Sequence, residues 1–144
     1  MNELHRSALL EVPVDLAYEV VRDVQHYPAF LPGCDSTRIL SAEEGGLTAE
    51  VTVSGLGMTQ SFITRNVHRA DSIHMSLVEG PLRTLDGRWA FKDLAGIGCR
   101  VEVDIRFQLK GAIARVFAPF ADRAANLLVD AFTERMEHLA NAER

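Results

Sequence analysis

The chain has 144 residues, of which 47% are hydrophobic and 24% are charged, and its formal net charge is −5 at pH 7. This length and composition are typical of one ordinary globular domain, so we predict a single domain over residues 1–144 and exclude a disordered chain. The acidic balance disfavours general binding to nucleic acid, DNA included. The absence of an apolar run of about 20 residues argues against a membrane-spanning helix.

The first third of the chain predicts one strand, one helix and a short apolar loop. Residues 4–12 alternate between apolar and polar side chains, as a strand does. Residues 13–24 repeat an apolar side chain every four positions, which indicates an amphipathic helix. The segment 27–34 holds two prolines and several large apolar side chains, so it has room for only one further turn of helix.

Six alternating segments follow and predict antiparallel strands joined by turns. The clearest is 99–109, where apolar residues alternate with charged or polar ones along the whole segment. Such alternation is typical of an antiparallel strand with one face toward water. The six predicted strands cover 36–42, 47–54, 58–69, 72–79, 84–93 and 99–109.

A long C-terminal helix is predicted from Gly111 onward, because nine apolar side chains share one broad sector of a helical wheel. Pro119 lies inside this pattern and predicts a kink or restart there. The apolar face of a sheet must be covered, and this helix is long enough to cover it. We therefore predict an α+β fold in which a curved antiparallel sheet of about seven strands wraps a long C-terminal helix, with two short helices after the first strand.

No pattern of catalytic or metal-binding residues is present in the sequence. None of the five histidines has the spacing of a zinc or other metal site. Nucleophile motifs are absent, and although Cys34 and His26 share one loop, no third residue is placed to orient them. We therefore expect no catalytic residue, no metal and no resident cofactor, and predict that the protein is not an enzyme.

The cysteine usage and the first residues indicate where the protein acts. Cys34 and Cys99 lie far apart and belong to no CxxC pair, so we expect two free thiols in a reducing compartment. The N-terminal residues show neither a secretory signal nor a transit peptide. We predict a cytoplasmic location, with transient peripheral contact at the inner membrane left open.

Large apolar side chains come from every predicted layer, which is consistent either with a filled core or with an apolar cavity. A deeply curved sheet and one helix do not easily fill their own interior, and apolar cavities bind small molecules. The segment between Pro28 and Pro32 is the predicted lid. The predicted cavity wall consists of Tyr27, Phe30, Leu31, Phe62, Met75, Trp89, Phe91, Phe117, Phe120, Ala124 and Leu127.

Basic side chains concentrate in the half of the chain that is rich in strands. They are either ordinary surface charge balanced by acids or a local surface for an anionic partner, RNA or phospholipid. The residues proposed for that surface are Arg65, Arg83, Arg88 and Arg106.

Three segments resemble motifs of one START-like family, which includes coenzyme Q-binding proteins and RatA-type ribosome-association toxins. Residues 26–34 (HYPAFLPGC) are similar to its YPxFLPWC motif, residues 80–91 (GPLRTLDGRWAF) to GPF(K/R)xLxGxWxF, and residues 128–135 (LVDAFTER) to MVxAFxxR. The departures are Gly33 in place of tryptophan and Leu82 in place of phenylalanine. The resemblance spans essentially the whole chain and implies a helix-grip (START/Bet v1-like) fold.

The resemblance implies two activities, and a third follows only from the fold. We favour binding of ubiquinone or a related polyisoprenoid lipid between the sheet and the C-terminal helix, in support of respiratory electron transport as a carrier or chaperone. The alternative is a toxin that binds the 50S ribosomal subunit and blocks 70S association. Enzymes of the cyclase or hydratase type share this fold, but the predicted cavity supplies no acid/base pair for such chemistry.

Overall fold

A computed structural model describes residues 2–142 as one curved seven-stranded sheet with three α-helices. The predicted fold class is confirmed. The strands are β1 (Asn2–Leu10), β2 (Cys34–Glu43), β3 (Gly46–Gly55), β4 (Met58–His68), β5 (Ser72–Glu79), β6 (Leu82–Asp93) and β7 (Cys99–Leu109). The α-helices are α1 (Val14–Arg22), α2 (Gly111–Phe117) and α3 (Ala121–Ala142), and 3₁₀ helices cover Val24–Ala29 and Ala118–Phe120.

The sheet is antiparallel throughout, with the strand order β1-β7-β6-β5-β4-β3-β2. Strands β2 to β7 form a meander, whereas β1 pairs with β7, so the chain between β1 and β2 must cross from one edge of the sheet to the other. Helix α1 and the first 3₁₀ helix make this crossing. Register shifts place extra residues in β2, β5 and β6; these mark bulges, which bend and twist strands and so help to curve the sheet.

Alternate turns of an antiparallel meander lie at the same end of the sheet, and this defines two ends of the molecule. The closed end carries α1 and the β2–β3, β4–β5 and β6–β7 turns. The open end carries the β3–β4 turn, the β5–β6 turn and the connection from β7 to α2. Loop 30–33 also reaches the open end, because the backbone N–H of Ser54 near the end of β3 donates to the carbonyl of Gly33.

Helix α3 packs on the inner face of the sheet through a narrow stripe with a spacing of three or four residues. Its small side chains allow close approach to the sheet and to α1, and its flank is held by Arg6 of β1, which forms an ion pair of 2.6 Å with Asp130. The buried stripe consists of Ala121, Ala125, Val129, Phe132, Met136 and Ala140.

The structure corrects one part of the predicted helix face. Phe120, Ala124 and Leu127 were assigned to the covered sector, but all three are exposed. The physical reason is that the apolar sector of the wheel is broader than the stripe that α3 buries, so a wheel alone does not choose which edge of the sector packs. The predicted restart at Pro119 is confirmed, since it lies in the 3₁₀ turn between α2 and α3.

Within residues 2–142, no helix is both long enough and apolar enough to cross a membrane. The two cysteines, Cys34 and Cys99, are free and buried. Burial raises the pKa of both thiols, so neither has the thiolate character that a reactive cysteine needs.

Candidate ligand-binding site

Side chains on the inner face of the sheet change from buried to half-buried toward the open end. On β7 the inner-face residues Cys99, Val101 and Val103 are buried, whereas Ile105 and Phe107 are only half-buried. Solvent therefore reaches apolar side chains on the concave side of the sheet, where a filled core would exclude it. Accessible apolar surface inside a concave face is typical of a ligand-binding cleft.

The same gradient is present on β3 and β5. On β3, buried Ala49 is followed by half-buried Val51 and Val53. On β5, buried Ile73 is followed by half-buried Met75 and Leu77. The interior is thus packed beside α1 and the middle of α3, and it is accessible beside α2 and the first turns of α3. We call this accessible part the open half; on the sheet it comprises Val51, Val53, Phe62, Met75, Leu77, Leu85, Phe107 and Leu109.

An aromatic cluster separates the packed part of the interior from the loop that was predicted as the lid. The ring centroid of Phe132 on α3 lies 5.0 Å from that of Trp89, 5.2 Å from that of Tyr27 and 5.4 Å from that of Phe30. Each pair has an edge-to-face arrangement. Such pairs contribute about 0.5–1.5 kcal/mol each beyond their buried area. The loop after α1 is therefore anchored to α3 by aromatic contacts.

Polar contacts fix the same loop. The hydroxyl of Tyr27 donates to the backbone carbonyl of Val21 at the end of α1. Burial, followed by the nearby Asp23 and Cys34, raises the pKa of Tyr27 above its usual range, so this side chain stays a neutral donor. Arg135 of α3 lies over the ring of Phe30, 5.4 Å from its centroid, in a cation–π contact that the sequence did not predict.

Three polar side chains follow one another on the inner face of β4. Thr64 and Asn66 are buried, and the Thr64 hydroxyl donates to the Asn66 side-chain oxygen over 3.0 Å. The Nε2 atom of His68 is buried without a hydrogen-bond partner among the described residues. Burial and then the charge of Arg22 lower the pKa of His68, so its neutral form is favoured.

The predicted wall residues divide into three groups. Trp89 and Phe91 are buried in the packed core, and Tyr27, Phe30 and Leu31 form the anchored loop beside it. Phe62 and Met75 lie on the inner face of the open half, with Phe117 half-buried at its α2 side. The remaining three, Phe120, Ala124 and Leu127, lie on the exposed side of the helical segment.

Several residues of the open half were absent from the predicted cavity wall. Leu77, Leu85 and Phe107 are half-buried on the inner face. The signal that locates them is strand register: Leu85 pairs with Phe107, and Leu77 pairs with the buried Thr64.

The four predicted basic residues do not form one patch. Arg65 makes a two-pronged ion pair with Glu43 over 2.8 and 3.2 Å, and Arg106 lies 3.8 Å from Glu3, so both cations on the outer face have carboxylate neighbours. Arg88 shares that face, in register with Asp104. Arg83 lies instead at the open end, next to the β5–β6 turn.

A second concavity of about 680 Å³ lies at the closed end, between α1 and the β4–β5 turn. Its apolar residues include Tyr18 and Phe91, whose rings contact each other edge-to-face at 5.3 Å. Its rim carries charges of both signs, including Glu19, Arg69 and Lys92. Mixed charges at a shallow rim are usually solvated, so this cleft is a weaker candidate for an apolar ligand than the open half.

Among residues 2–142, no group of three or more histidine, cysteine, aspartate or glutamate side chains is close enough to hold a metal ion. The carboxylates of the outer face are paired with cations or histidines, as in the contacts of His5 with Asp104 and of His74 with Asp86. These pairs lie on the convex side of the sheet, away from the open half.

Comparison with known proteins agrees with this architecture. Residues 10–133 match the family described as "Polyketide cyclase / dehydrase and lipid transport". A solved START superfamily protein from Mycobacterium smegmatis has the same fold, with a TM-score of 0.81, 20% identity and coverage of 95% of this chain and 98% of that chain. The aromatase/cyclase Zhui from Streptomyces also shares the fold, with a TM-score of 0.76, 18% identity and coverage of 94% and 93%.

Relatives of higher identity carry names that do not describe enzymes. Ribosome association toxin RatA of Pseudomonas aeruginosa is 38% identical over 96% of this chain and 97% of its own length, and RatA of Escherichia coli K12 is 40% identical over 99% and 91%. Coenzyme Q-binding protein COQ10 homolog B of Xenopus laevis is 24% identical over 92% of this chain and 57% of its own length. The resemblance seen in the three motifs is confirmed, and the chain belongs to the START-like polyketide cyclase, dehydrase and lipid transport family, together with the RatA proteins.

Proposed function

We propose that this protein binds an extended apolar ligand of the polyisoprenoid quinone class in the open half, and supports respiratory electron transport as its carrier or chaperone. The burial gradient on the inner face carries the proposal. Accessible apolar side chains on a concave face, here Val53, Leu77 and Phe107, usually mark a ligand-binding groove. An isoprenoid chain supplies apolar surface of the matching chemistry.

The shape of the accessible surface favours a long ligand over a compact one. The half-buried inner-face residues run across the sheet from Val53 on β3 to Phe107 on β7. Adjacent strands are about 4.8 Å apart, so this surface extends across five strands, or roughly 19 Å. The name of the coenzyme Q-binding relative is consistent with this ligand class.

A charge placed on the inner face should remove the ligand, whereas the same charge at the exposed neighbouring position should not. Leu77 is half-buried on the inner face and Val78 is exposed, and the two are neighbours on β5. We expect Leu77→Glu to weaken binding by about 100-fold or more, because a buried carboxylate without a partner costs several kcal/mol. We expect Val78→Glu to retain the wild-type content of bound ligand.

The measurement is native mass spectrometry with organic extraction of the freshly purified protein, followed by titration of detergent-solubilised ubiquinone. Leu77→Gln, which adds no charge, replaces Leu77→Glu if that variant does not fold. Equal ligand affinity in the two glutamate variants, or a wild-type protein that takes up no quinone in the titration, would exclude the proposed site.

The similarity to RatA supports a second candidate function, binding to the 50S ribosomal subunit with block of 70S association. Contacts between arginines and RNA phosphates make binding fall steeply with salt. We expect Arg88→Glu to weaken co-sedimentation with 50S subunits several-fold and to reduce the slope of binding against salt. Arg38→Glu on β2 is the control. Binding that does not respond to salt or to Arg88→Glu would reject this candidate interface.

A further inference from the structure

The segment 111–128 presents large apolar side chains to solvent on the side opposite its buried stripe. Val116 is 41% exposed, Phe120 is 49% exposed and Leu127 is 50% exposed. Phe120 and Leu127 are separated by seven residues, about two helical turns, so they lie on one side of the beginning of α3. Val116 lies four residues before Phe120, near the end of α2. Exposed apolar side chains do not stabilise the fold, and where they are contiguous they usually mark an interaction surface.

Cations flank these apolar side chains. Lys110, Arg115 and Arg123 are exposed, and within residues 2–142 none of the three forms an ion pair. Residues 110–128 contain one carboxylate, that of Asp122, which accepts a hydrogen bond from Asn2 over 2.9 Å. The whole chain carries −5, so this segment is a local basic surface on an acidic protein.

The β3–β4 turn places a further apolar side chain at the open end. Leu56 is 57% exposed and adopts φ 52°, a left-handed conformation that disfavours a leucine. Glycine, asparagine and aspartate are the residues that such hairpin turns favour. The turn lies beside α2, since a methyl group built on Gly55 would be 3.9 Å from the ring of Phe117. A leucine here costs stability, and an external apolar partner accounts for it.

We propose that the open end docks on an anionic lipid bilayer through one surface, the docking surface, formed by Leu56, Val116, Phe120 and Leu127 with Arg115 and Arg123. Apolar side chains that enter the interface between headgroups and acyl chains, flanked by cations that attract anionic headgroups, are the combination that peripheral membrane surfaces use. A protein partner of complementary charge would need to supply carboxylates around an apolar centre, whereas a bilayer offers both over any area.

The position of the docking surface suggests a role for membrane contact in ligand transfer. This role of the docking surface rests on the proposed function, because α2 lies directly at the entrance of the open half. A protein docked in this way would hold the entrance against the membrane, so an apolar ligand could pass between bilayer and cleft without crossing water. The docking itself requires no ligand, and this separates its test from the test of ligand binding.

The test is co-sedimentation of the full-length protein with vesicles that contain no quinone. We expect binding to vesicles of phosphatidylcholine with 30% phosphatidylglycerol, and much weaker binding to phosphatidylcholine alone. Removing both cations in Arg115→Gln/Arg123→Gln should reduce the partition coefficient by about fivefold per arginine. Phe120→Ser/Leu127→Ser should reduce it about tenfold or more, since both side chains lose their transfer into the interface.

Matched controls separate docking from general effects of charge and hydrophobicity. Ile97→Ser removes an exposed apolar side chain from the closed end, and Arg88→Gln removes a cation from the outer face. Both should bind vesicles as the wild type does. Because the altered side chains of the docking surface are exposed, we expect all variants to fold and to keep their affinity for detergent-solubilised quinone.

Three results would overturn the docking proposal. The first is equal binding to neutral and anionic vesicles. The second is equal loss in Phe120→Ser/Leu127→Ser and in Ile97→Ser. The third is evidence that the docking surface serves another partner while the wild-type protein does not bind vesicles. That evidence would be a wild-type dimer that becomes a monomer in Phe120→Ser/Leu127→Ser, or binding to 50S subunits that is lost in Arg115→Gln/Arg123→Gln. Failure of quinone binding with intact vesicle binding would instead count against the proposed function.

Discussion

Phe132→Ala is expected to lower the free energy of unfolding by about 3–5 kcal/mol. The side chain is buried in the centre of the interior, and its ring contacts those of Tyr27, Phe30 and Trp89 at centroid distances between 5.0 and 5.4 Å. The alanine variant loses the transfer free energy of the ring, leaves a cavity, and removes three edge-to-face contacts at once. Urea denaturation at equilibrium measures the change.

Phe132→Leu is the control, because it keeps an apolar side chain of similar volume and removes only the aromatic contacts. We expect it to cost less than half as much as the alanine variant. Trp89 is the chain's single tryptophan and touches Phe132, so its fluorescence reports on the cluster directly. A loss below about 1.5 kcal/mol for Phe132→Ala would mean that the loop and α3 collapse onto the cavity or are not held by this ring.

The strands were predictable because their two faces differ in chemistry. The alternation in 99–109 gave the bounds of β7 correctly, and the observed register pairs Trp89 with Val103 and Phe91 with Val101 on the buried side. A period of two leaves no choice of face once one side is apolar. The meander of β2 to β7 therefore follows from local patterns and short turns, whereas the pairing of β1 with β7 depends on long-range contacts.

The packing of the C-terminal helix was less predictable, because its apolar sector is wide. Both Ala125 and Leu127 are apolar, but α3 buries the first and exposes the second. The buried stripe is selected by close approach of small side chains to the sheet and by the ion pair between Arg6 and Asp130, which are 124 residues apart in the chain. Contacts over that separation depend on tertiary packing, and a helical wheel contains no information about them.

The basic surface illustrates the same limit. Arg65 follows Glu43 by 22 residues, and the two meet across the β3–β4 and β2–β3 hairpins. A count of cations along the sequence treats Arg65 as available to RNA, whereas the structure pairs it with a carboxylate. Conversely, Arg115 and Arg123 have no such partner among residues 2–142, and the sequence analysis did not select them because it considered only the half of the chain that is rich in strands.

Gly80→Ala is expected to be the most disruptive single-methyl change at the entrance of the open half, lowering the free energy of unfolding by about 3 kcal/mol. Gly80 has φ 154°, which L-residues rarely adopt, and an added Cβ would lie 2.5 Å from Cβ of Phe62 and 3.6 Å from Cδ1 of Leu77. Either the β5–β6 turn moves outward or Phe62 is pushed along the inner face. Both adjustments change the part of the sheet to which we assign the ligand.

Gly57→Ala separates backbone strain from this collision. Gly57 also has positive φ, at 77°, but an added Cβ there has nothing within 4 Å, so we expect a loss of only about 1 kcal/mol and an unchanged affinity for quinone. For Gly80→Ala we expect both a larger loss of stability and a weaker affinity at temperatures where the variant is folded. If the two alanine variants lose stability equally and bind quinone equally, Phe62 does not border the ligand, and the cleft must be entered from another side of α2.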